Sequence, residues 1–246
     1  MPAEYNLVVK SSEILSPNMR SIVLTGEDLE TFPPDQESGY VKVVFPLDAE
    51  TSVMRSYTIR AHNRDLHEIT LDFVDHGDAG PASKWARNTS VGETITVRGP
   101  GEKKLADPQA DWFLIAGDLS ALPAITVNLE QLPEDARGYA VIEVPDSADQ
   151  QALQAPAGME IQWVVNPDHS QANIPLVQAI RSLNWLPGTP YPWFAGEFEG
   201  MRQMRQFLRH EKGIDKKAMY LSCYWKYGDT DEGMKAAKRL DAQANG

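Results

Sequence analysis

The sequence predicts two domains, a small antiparallel β-barrel followed by an α/β domain, and two observations support this fold class. Residues before about 100 form short segments in which apolar and polar side chains alternate, separated by Gly, Pro, Asn and Asp. After residue 110, apolar runs of strand length alternate with helical stretches, which is typical of a parallel sheet covered on both faces. Gly, Pro and charged residues cluster between these regions, so we place the domains at 1–105 and 106–246.

The barrel strands are predicted from period-two alternation. In residues 68–74, for example, Ile69, Leu71 and Phe73 share one face and Thr70 and Asp72 the other. Six strands are predicted, at 5–10, 19–24, 40–45, 55–60, 68–74 and 94–98, with one short helix at 80–87. This number and spacing indicate a six-stranded antiparallel barrel.

The second half reads as five β-α units. The predicted strands cover 112–117, 139–144, 159–165, 191–196 and 219–225. The predicted helices cover 121–132, 148–153, 174–183, 198–211 and 231–242. Right-handed crossovers then place a functional crevice at the carboxyl ends of the five strands.

Composition excludes several classes of protein. No apolar run approaches the roughly 20 residues needed to span a bilayer, and the first residues lack a basic start followed by an apolar secretory segment. A single cysteine, Cys223, excludes an internal disulfide framework and cysteine-rich metal sites, so we expect a cytoplasmic protein. A formal net charge of −12 argues against binding to nucleic acid or anionic membranes. We also expect a monomer.

Conventional catalytic machinery is absent from the sequence. The five histidines show no helical metal-ligand spacing, and no G-x-S-x-G, H-E-x-x-H or Walker loop occurs. We therefore predict no catalytic side chain and no metal site, and we expect that a bound cofactor carries the chemistry of any enzyme activity.

The strand Arg55-Ser-Tyr-Thr-Ile-Arg60 has the groups that a flavin needs. A guanidinium can pair with a pyrophosphate, an aromatic face can stack on a tricyclic ring, and a hydroxyl can bond a ring nitrogen. Alternation places Arg55, Tyr57 and Ile59 on one face, so Arg55 and Tyr57 can address one ligand. Taken alone, the hexapeptide is better explained as an ordinary barrel strand with exposed arginines.

A second feature, residues 72–86, runs from a strand through a glycine-rich turn into a helix. Gly77 and Gly80 permit a tight turn, and Pro81 suits the first helical turn. The N–H groups of Ala82 and Ser83 can then receive a phosphate at the positive end of the helix dipole. The alternative is a plain turn and helix start, with Trp85 in the core.

Together these motifs resemble those of the siderophore-interacting proteins, or ferric-siderophore reductases, of the ferredoxin reductase superfamily. The resemblance covers almost the whole chain. Its marks are V-K-V-V-F-P at 41–46, R-S-Y-T-I-R, D-F-V-x-H-G-x-x-G-P-A-S-x-W-A, L-I-A-G-D-x-x-A-L-P-A-I at 114–125, W-F-A-G-E at 193–197 and Y-W-x-x-G-x-x-x-E-G at 224–233. It implies a Greek-key barrel that binds FAD, and a ferredoxin reductase-like second domain that serves electron supply.

The resemblance also implies roles for individual residues. The FAD-binding residues would be Arg55, Ser56, Tyr57, Thr58, Asp72, Val74, His76, Gly80, Pro81, Ala82, Ser83 and Trp85, with Trp225 and Tyr227 closing against the flavin. For His76, the main chain is as good a candidate as the ring.

The nicotinamide dinucleotide residues would be Gly117, Asp118, Ser120, Ala121, Gly196 and Glu197. Asp118 and Ser120 can equally cap the helix that follows them, and Glu197 can cap the helix that follows it. The family usually has Glu-Thr where this chain has Leu119-Ser120, a departure that bears on nicotinamide docking. No Lys or Arg occurs between residues 138 and 180, where a 2′-phosphate would need cations, so NADH is favoured over NADPH.

Substrate residues are inferred from charge. Ferric siderophores are bulky and often anionic, so cations near the flavin edge are expected, and Lys42 and Lys226 are the candidates. Both can instead be solvent-facing lysines. A basic helical flank, Arg202, Arg205, Arg209, Lys212, Lys216 and Lys217, is either a solvated face or a docking surface for an acidic carrier such as ferredoxin.

The function implied is FAD-dependent reduction of ferric siderophores, which releases Fe(II). Electrons would come from NADH or NADPH, or from reduced ferredoxin. Fe(II) suits hard siderophore oxygens less well than Fe(III), so reduction weakens the complex. The alternatives are a general flavin reductase or another electron-transfer flavoprotein with a different acceptor, and a non-enzymatic siderophore-binding module.

Overall fold

The computed structural model describes residues 3–48, 50–77 and 80–245. Two positions of the predicted glycine-rich turn, Asp78 and Ala79, lie outside the described residues. The chain divides into two compact units, Met1–Leu105 and Ala106–Gly246.

The first unit contains a closed antiparallel barrel with the strand order β1-β2-β5-β4-β3-β6. Its strands are β1 (Glu4–Ser16), β2 (Met19–Thr25), β3 (Tyr40–Pro46), β4 (Ser52–Asn63), β5 (Glu68–Val74) and β6 (Thr94–Gly101). Helix α1 (Pro81–Asn88) follows β5, and a 3₁₀ turn (Glu27–Thr31) follows β2. The predicted six-stranded barrel is confirmed.

Strands β1 and β4 extend furthest beyond their predicted bounds, because they contain irregularities that let them bend. In β1 the register with β2 shifts between Val9 and Ser11, and pairing then continues to a hairpin at Ser16 and Met19. Strand β4 changes partner along its length: residues 52–58 pair with β3, and pairing with β5 begins only at Ile59. Alternation alone does not reveal such bends, so only residues 5–10 of β1 and 55–60 of β4 were predicted.

The barrel interior is filled by the apolar side chains that the alternation placed on one face. Ile69, Leu71 and Phe73 of β5 are fully buried, as are Val41 and Val43 of β3. Burying side chains of this size stabilises the fold by roughly 1.5–3 kcal/mol each. The interior of the barrel is therefore a packed hydrophobic core.

The second unit is a parallel five-stranded sheet with the order β11-β10-β7-β8-β9. Its strands are β7 (Trp112–Asp118), β8 (Arg137–Val144), β9 (Gly158–Val165), β10 (Pro190–Glu197) and β11 (Tyr220–Trp225). Its helices are α2 (Leu122–Gln131), α3 (Ile174–Arg181), α4 (Phe198–Gln206) and α5 (Asp231–Asn245). All of β7 is buried, as expected for the central strand of a parallel sheet.

One predicted helix, at 148–153, is wrong. The structure has a single 3₁₀ turn there, Ser147–Asp149, because the Asp146 carboxylate accepts from the N–H of Ala148 and closes only one turn. Pro156 also favours extended backbone in the residue before it. The helix predicted at 198–211 is present as α4, but its last turn, Phe207–Glu211, is a π-helix.

Candidate functional site

Strand β4 presents its candidate residues on two faces. Arg55 lies opposite Val43 and Tyr57 opposite Val41, so both point to the side of the buried barrel residues. Ser56 lies opposite the exposed Lys42, on the outer face. The structure therefore brings Arg55 and Tyr57 together, and it places Ser56 and Lys42 on the other side of the strand.

The edge of β4 opens next to these residues. Pairing between β4 and β5 stops at Ile59 and Leu71, and in the described part of the chain no backbone pairing joins residues 52–58 to β5. Ile59 bonds toward the β3 side through both its N–H and its C=O. Because bonding direction alternates along an antiparallel strand, the backbone groups of Ser56 and Thr58 face the gap. We call this gap, bordered by residues 55–58 and 72–76, the β4–β5 opening.

Aromatic side chains pack beneath this opening. The Tyr57 ring lies 4.2 Å from Phe73 and 6.2 Å from Phe45, measured between centroids. Trp85 of α1 lies 5.7 Å from Phe45 and 5.6 Å from Phe73. Burial raises the pKa of the Tyr57 phenol. Trp85 thus packs against the barrel core, and Tyr57 joins it at the margin.

The far side of the opening is fixed by two carboxylates. Asp72 accepts from the Ser21 hydroxyl at 2.6 Å, and burial raises the pKa of the Asp72 carboxyl. Asp75 accepts from the N–H of Gly77 at 3.0 Å and from the hydroxyl of Ser83 at 3.2 Å. Sequence reasoning missed Asp75, although an Asp two residues before a Gly is a turn signal.

Helix α1 begins beside these turns without a side-chain cap. Pro81 occupies its first turn, and Gly80 adopts an extended conformation. Gly77 has a φ of 78°, which glycine adopts without strain. The Ser83 hydroxyl bonds to Asp75 and accepts from the His76 N–H, so the group of Ser83 left to meet a phosphate is its main chain. The His76 side chain is exposed.

The carboxyl ends of the second unit's strands carry a buried polar network. Asp118, at the end of β7, is 6% exposed and accepts from the N–H and hydroxyl of Ser120. Its other oxygen accepts from the Trp225 indole N–H at 2.7 Å. Burial outweighs these bonds and raises the pKa of the Asp118 carboxyl. Asp118 does not cap α2, whose N-cap is Ala121.

Glu197, at the end of β10, has two structural contacts. One oxygen caps α4 by accepting from the N–H groups of Glu199 and Gly200. The other accepts from the N–H of Tyr227 at 3.1 Å. Glu197 is 2% exposed, and its two oxygens bond to the start of α4 and to the segment after β11.

Asn173 connects the network and was not predicted. Its amide donates to Glu143 at 2.6 Å, and its carbonyl accepts from the Glu197 N–H at 2.7 Å. Glu143 also accepts from the N–H of Leu176, and burial raises the pKa of the Glu143 carboxyl. Asn173 has a φ of 61°, a conformation that Asn tolerates better than most residues, but its partners are distant in sequence.

The two glycines predicted to let a dinucleotide approach are required by packing. A Cβ on Gly117 would lie 2.3 Å from the carbonyl oxygen of Ala195. A Cβ on Gly196 would lie 2.6 Å from Asn173 Oδ1 and 2.9 Å from Asp118 Oδ2. Both positions therefore need glycine whether or not a ligand binds.

The basic groups of the second unit are largely engaged in the structure. Lys226 donates to Asp229 at 2.7 Å, which raises the pKa of the lysine. Arg205 pairs with Asp241 at 2.6 Å, and Lys212 lies 4.4 Å from the centre of the Trp185 ring. Beside Arg205, helices α4 and α5 border a shallow groove of about 270 Å³. Lys216 and Lys217 are exposed.

Family models match both units. The siderophore-interacting FAD-binding domain model matches residues 8–53 and 46–104, and the siderophore-interacting protein model matches residues 110–228. The chain is 36% identical over 238 residues to the ferric vibriobactin reductase ViuB of Vibrio cholerae, covering 89% of this chain and 88% of ViuB. The chain belongs to the siderophore-interacting protein family.

Solved structures agree with this membership. The siderophore-interacting protein SipS from Aeromonas hydrophila superposes with a TM-score of 0.88 at 33% identity, covering 98% of this chain and 99% of SipS. The ferredoxin-NADP+ reductase from Plasmodium falciparum shares the fold at 14% identity, with a TM-score of 0.68 over 90% of this chain and 96% of that one. This siderophore-interacting protein therefore has the ferredoxin reductase-like fold that the motifs implied.

Two other features are absent from the described part of this family member, a metal-binding cluster and a helix that could span a membrane. Among the described residues, no group of three or more His, Cys, Asp or Glu side chains is arranged to hold a metal ion. None of the helices in the described residues has the length and apolarity required to cross a bilayer.

Proposed function

We propose that this protein is an FAD-dependent ferric-siderophore reductase of the cytoplasm, in which residues 1–105 bind FAD and residues 106–246 serve electron supply. The observation that carries the proposal is the β4–β5 opening, which lies within the stretch matched by the FAD-binding domain model. Likeness to ViuB, a ferric vibriobactin reductase, supports a ferric siderophore as the substrate.

The groups around the opening fit FAD chemically. Arg55 supplies a guanidinium for the pyrophosphate, and Ser56 and Thr58 turn main-chain groups toward the gap. The uncapped start of α1 offers N–H groups at the positive end of a helix dipole, where Gly80 and the Ala82–Ser83 main chain can approach a phosphate. When bound, FAD would accept two electrons and release them one at a time.

The chain's own residues position this chemistry in the proposal. Tyr57 borders the flavin ring, and Asp72, Val74 and His76 line the side of the opening formed by β5. Trp225 and Tyr227 supply the aromatic surface of the second unit. No side chain needs to act as an acid or base, because the acceptor is a chelated Fe(III) ion that takes one electron.

The donor is proposed to be NADH in preference to NADPH. The loops that follow β8 and β9 contain no Lys or Arg, so a 2′-phosphate finds no cation there. Gly117, Ser120, Ala121 and Gly196 border the site where a dinucleotide would dock. A reduced carrier protein such as ferredoxin is the alternative donor, and the exposed Lys216 and Lys217 favour it.

Substrate recognition is assigned to cations outside the core. Lys226 follows Trp225 directly, and Lys42 lies on the outer face of β3 opposite Arg98. An anionic ferric chelate would compete with Asp229 for Lys226. Lys226 is therefore expected to affect the half-saturating substrate concentration more than the amount of FAD bound.

A coupled assay distinguishes this function from its alternatives. FAD-loaded protein is given NADH or reduced ferredoxin and a ferric siderophore, and Fe(II) is trapped with a colorimetric chelator. Fe(II) release that depends on both FAD and protein supports the proposal. Flavin reduction without faster Fe(II) release indicates a general flavin reductase, and absence of FAD binding indicates a siderophore-binding module.

A further inference from the structure

Two buried carboxylates of the second unit accept hydrogen bonds from the same short stretch of chain. Asp118 and Glu197 end the neighbouring strands β7 and β10, and both accept hydrogen bonds from the stretch that begins at the last residue of β11. Asp118 accepts from the Trp225 indole, and Glu197 accepts from the Tyr227 main chain. They lie 79 positions apart in the sequence, so only the fold brings them to one segment.

The bonds of Asp118 are poorly suited to a dinucleotide contact. One oxygen takes both Ser120 donors and the other takes the Trp225 indole, so the carboxylate is occupied by protein groups. The N–H of Ala121 is also taken, by the carbonyl of Asp118. A pyrophosphate would therefore meet a buried carboxylate and few available donors at this turn.

The Trp225–Tyr227 segment is held at three points. Besides the two carboxylates, the Cys223 thiol lies 3.1 Å from the carbonyl oxygen of Trp225 and donates to it. Trp225 is half-buried, whereas the Tyr227 side chain is 52% exposed. The bond to Asp118 thus fixes the orientation of the Trp225 indole, while the Tyr227 ring stays accessible to solvent.

We propose that Asp118 and Glu197 are positioning residues that fix the orientation of the Trp225–Tyr227 segment. Its consequence for activity rests on the proposed function, which assigns Trp225 and Tyr227 to the flavin. It replaces the sequence-based expectation that both carboxylates touch the nicotinamide dinucleotide.

The test uses the full-length, FAD-loaded protein and four variants. Asp118→Asn weakens the acceptor, Trp225→Phe removes the donor, and the double variant completes a cycle. Asp149→Asn, which alters another fully buried carboxylate of the same unit, is the matched control. The measurements are the indole N–H resonances of ¹⁵N-tryptophan-labelled protein, assigned with Trp225→Phe, and the flavin fluorescence.

We expect Asp118→Asn to shift the Trp225 indole resonance and to raise flavin fluorescence, since a released indole quenches the ring less. The double variant should fluoresce no more than Trp225→Phe alone, and Asp149→Asn should change neither signal. An unmoved indole resonance, or additive fluorescence effects, would overturn the assignment. If Asp118→Asn does not fold, unchanged flavin fluorescence in Trp225→Phe would overturn it as well. Failure of the wild type to bind FAD would instead overturn the proposed function, and the indole resonance would still decide whether Asp118 holds Trp225.

Discussion

At the scale of single residues, Tyr57 packs in the barrel and is also proposed to contact the flavin. Tyr57 belongs to the aromatic group under the β4–β5 opening, whereas Arg55 lies at the border of that opening. Removing the Tyr57 ring would leave a cavity beside Phe73 and cost about 3–5 kcal/mol of stability. A loss of FAD in Tyr57→Ala would therefore mix unfolding with lost contacts, so Arg55 provides the cleaner experiment.

Arg55→Ala should lower FAD affinity about 10- to 100-fold, since hydrogen bonds to a charged group are worth about 1.5–3 kcal/mol. Isothermal titration of the apoprotein with FAD measures this. Arg64→Ala, an exposed arginine in the turn after β4, is the control and should bind FAD nearly as the wild type does. Equal affinity in Arg55→Ala and wild type would count against the flavin strand.

Lys226 and Asp229 form a matched pair for testing substrate recognition. Lys226→Ala should raise the half-saturating concentration of an anionic ferric siderophore, because it removes a cation. Asp229→Asn should lower that concentration, because it frees the lysine from its ion pair. Steady-state Fe(II) release measures both, with flavin content as the control. If both variants shift in the same direction, Lys226 does not recognise the substrate by charge.

At the scale of elements, strands and helices follow from local pattern, whereas the polar network does not. Period-two alternation predicted all six barrel strands because each buries one face against a common core. The bonds of Asn173 to Glu143 and Glu197 join the residue before α3 to the ends of β8 and β10, and no local pattern marks them. The opening beside β4 was likewise missed, since it depends on where pairing with β5 stops.

The close approach of β7 and β10 makes Gly117 an element-scale test. Gly117→Ala should destabilise the protein by several kcal/mol in the absence of any ligand, because the added methyl meets the Ala195 carbonyl at 2.3 Å. Gly80→Ala is the control, as its methyl would meet nothing nearer than His76 at 3.6 Å. Chemical denaturation of both variants measures the free energy of unfolding. An unaltered unfolding midpoint in Gly117→Ala would contradict the packing requirement at this position.

At the scale of the whole molecule, charge is unevenly distributed. The chain has a net charge of −12, yet residues 201–246 contain ten Lys and Arg against six Asp and Glu. A carrier protein with an acidic surface would be attracted to this basic region, whereas the loops after β8 and β9 contain no Lys or Arg to attract it. The two proposed donors would thus make different demands on the second unit, whereas the proposed FAD site at the β4–β5 opening is the same with either.

The most direct test of the central claim, that FAD held at the β4–β5 opening passes electrons to chelated Fe(III), is anaerobic stopped-flow absorbance. The FAD-loaded protein is first reduced with NADH, NADPH or reduced ferredoxin in separate experiments, and a ferric siderophore is then added. We predict that flavin absorbance returns much faster with the ferric siderophore than with its iron-free form, and that Fe(II) appears at the same rate. Equal rates with and without iron would contradict the account.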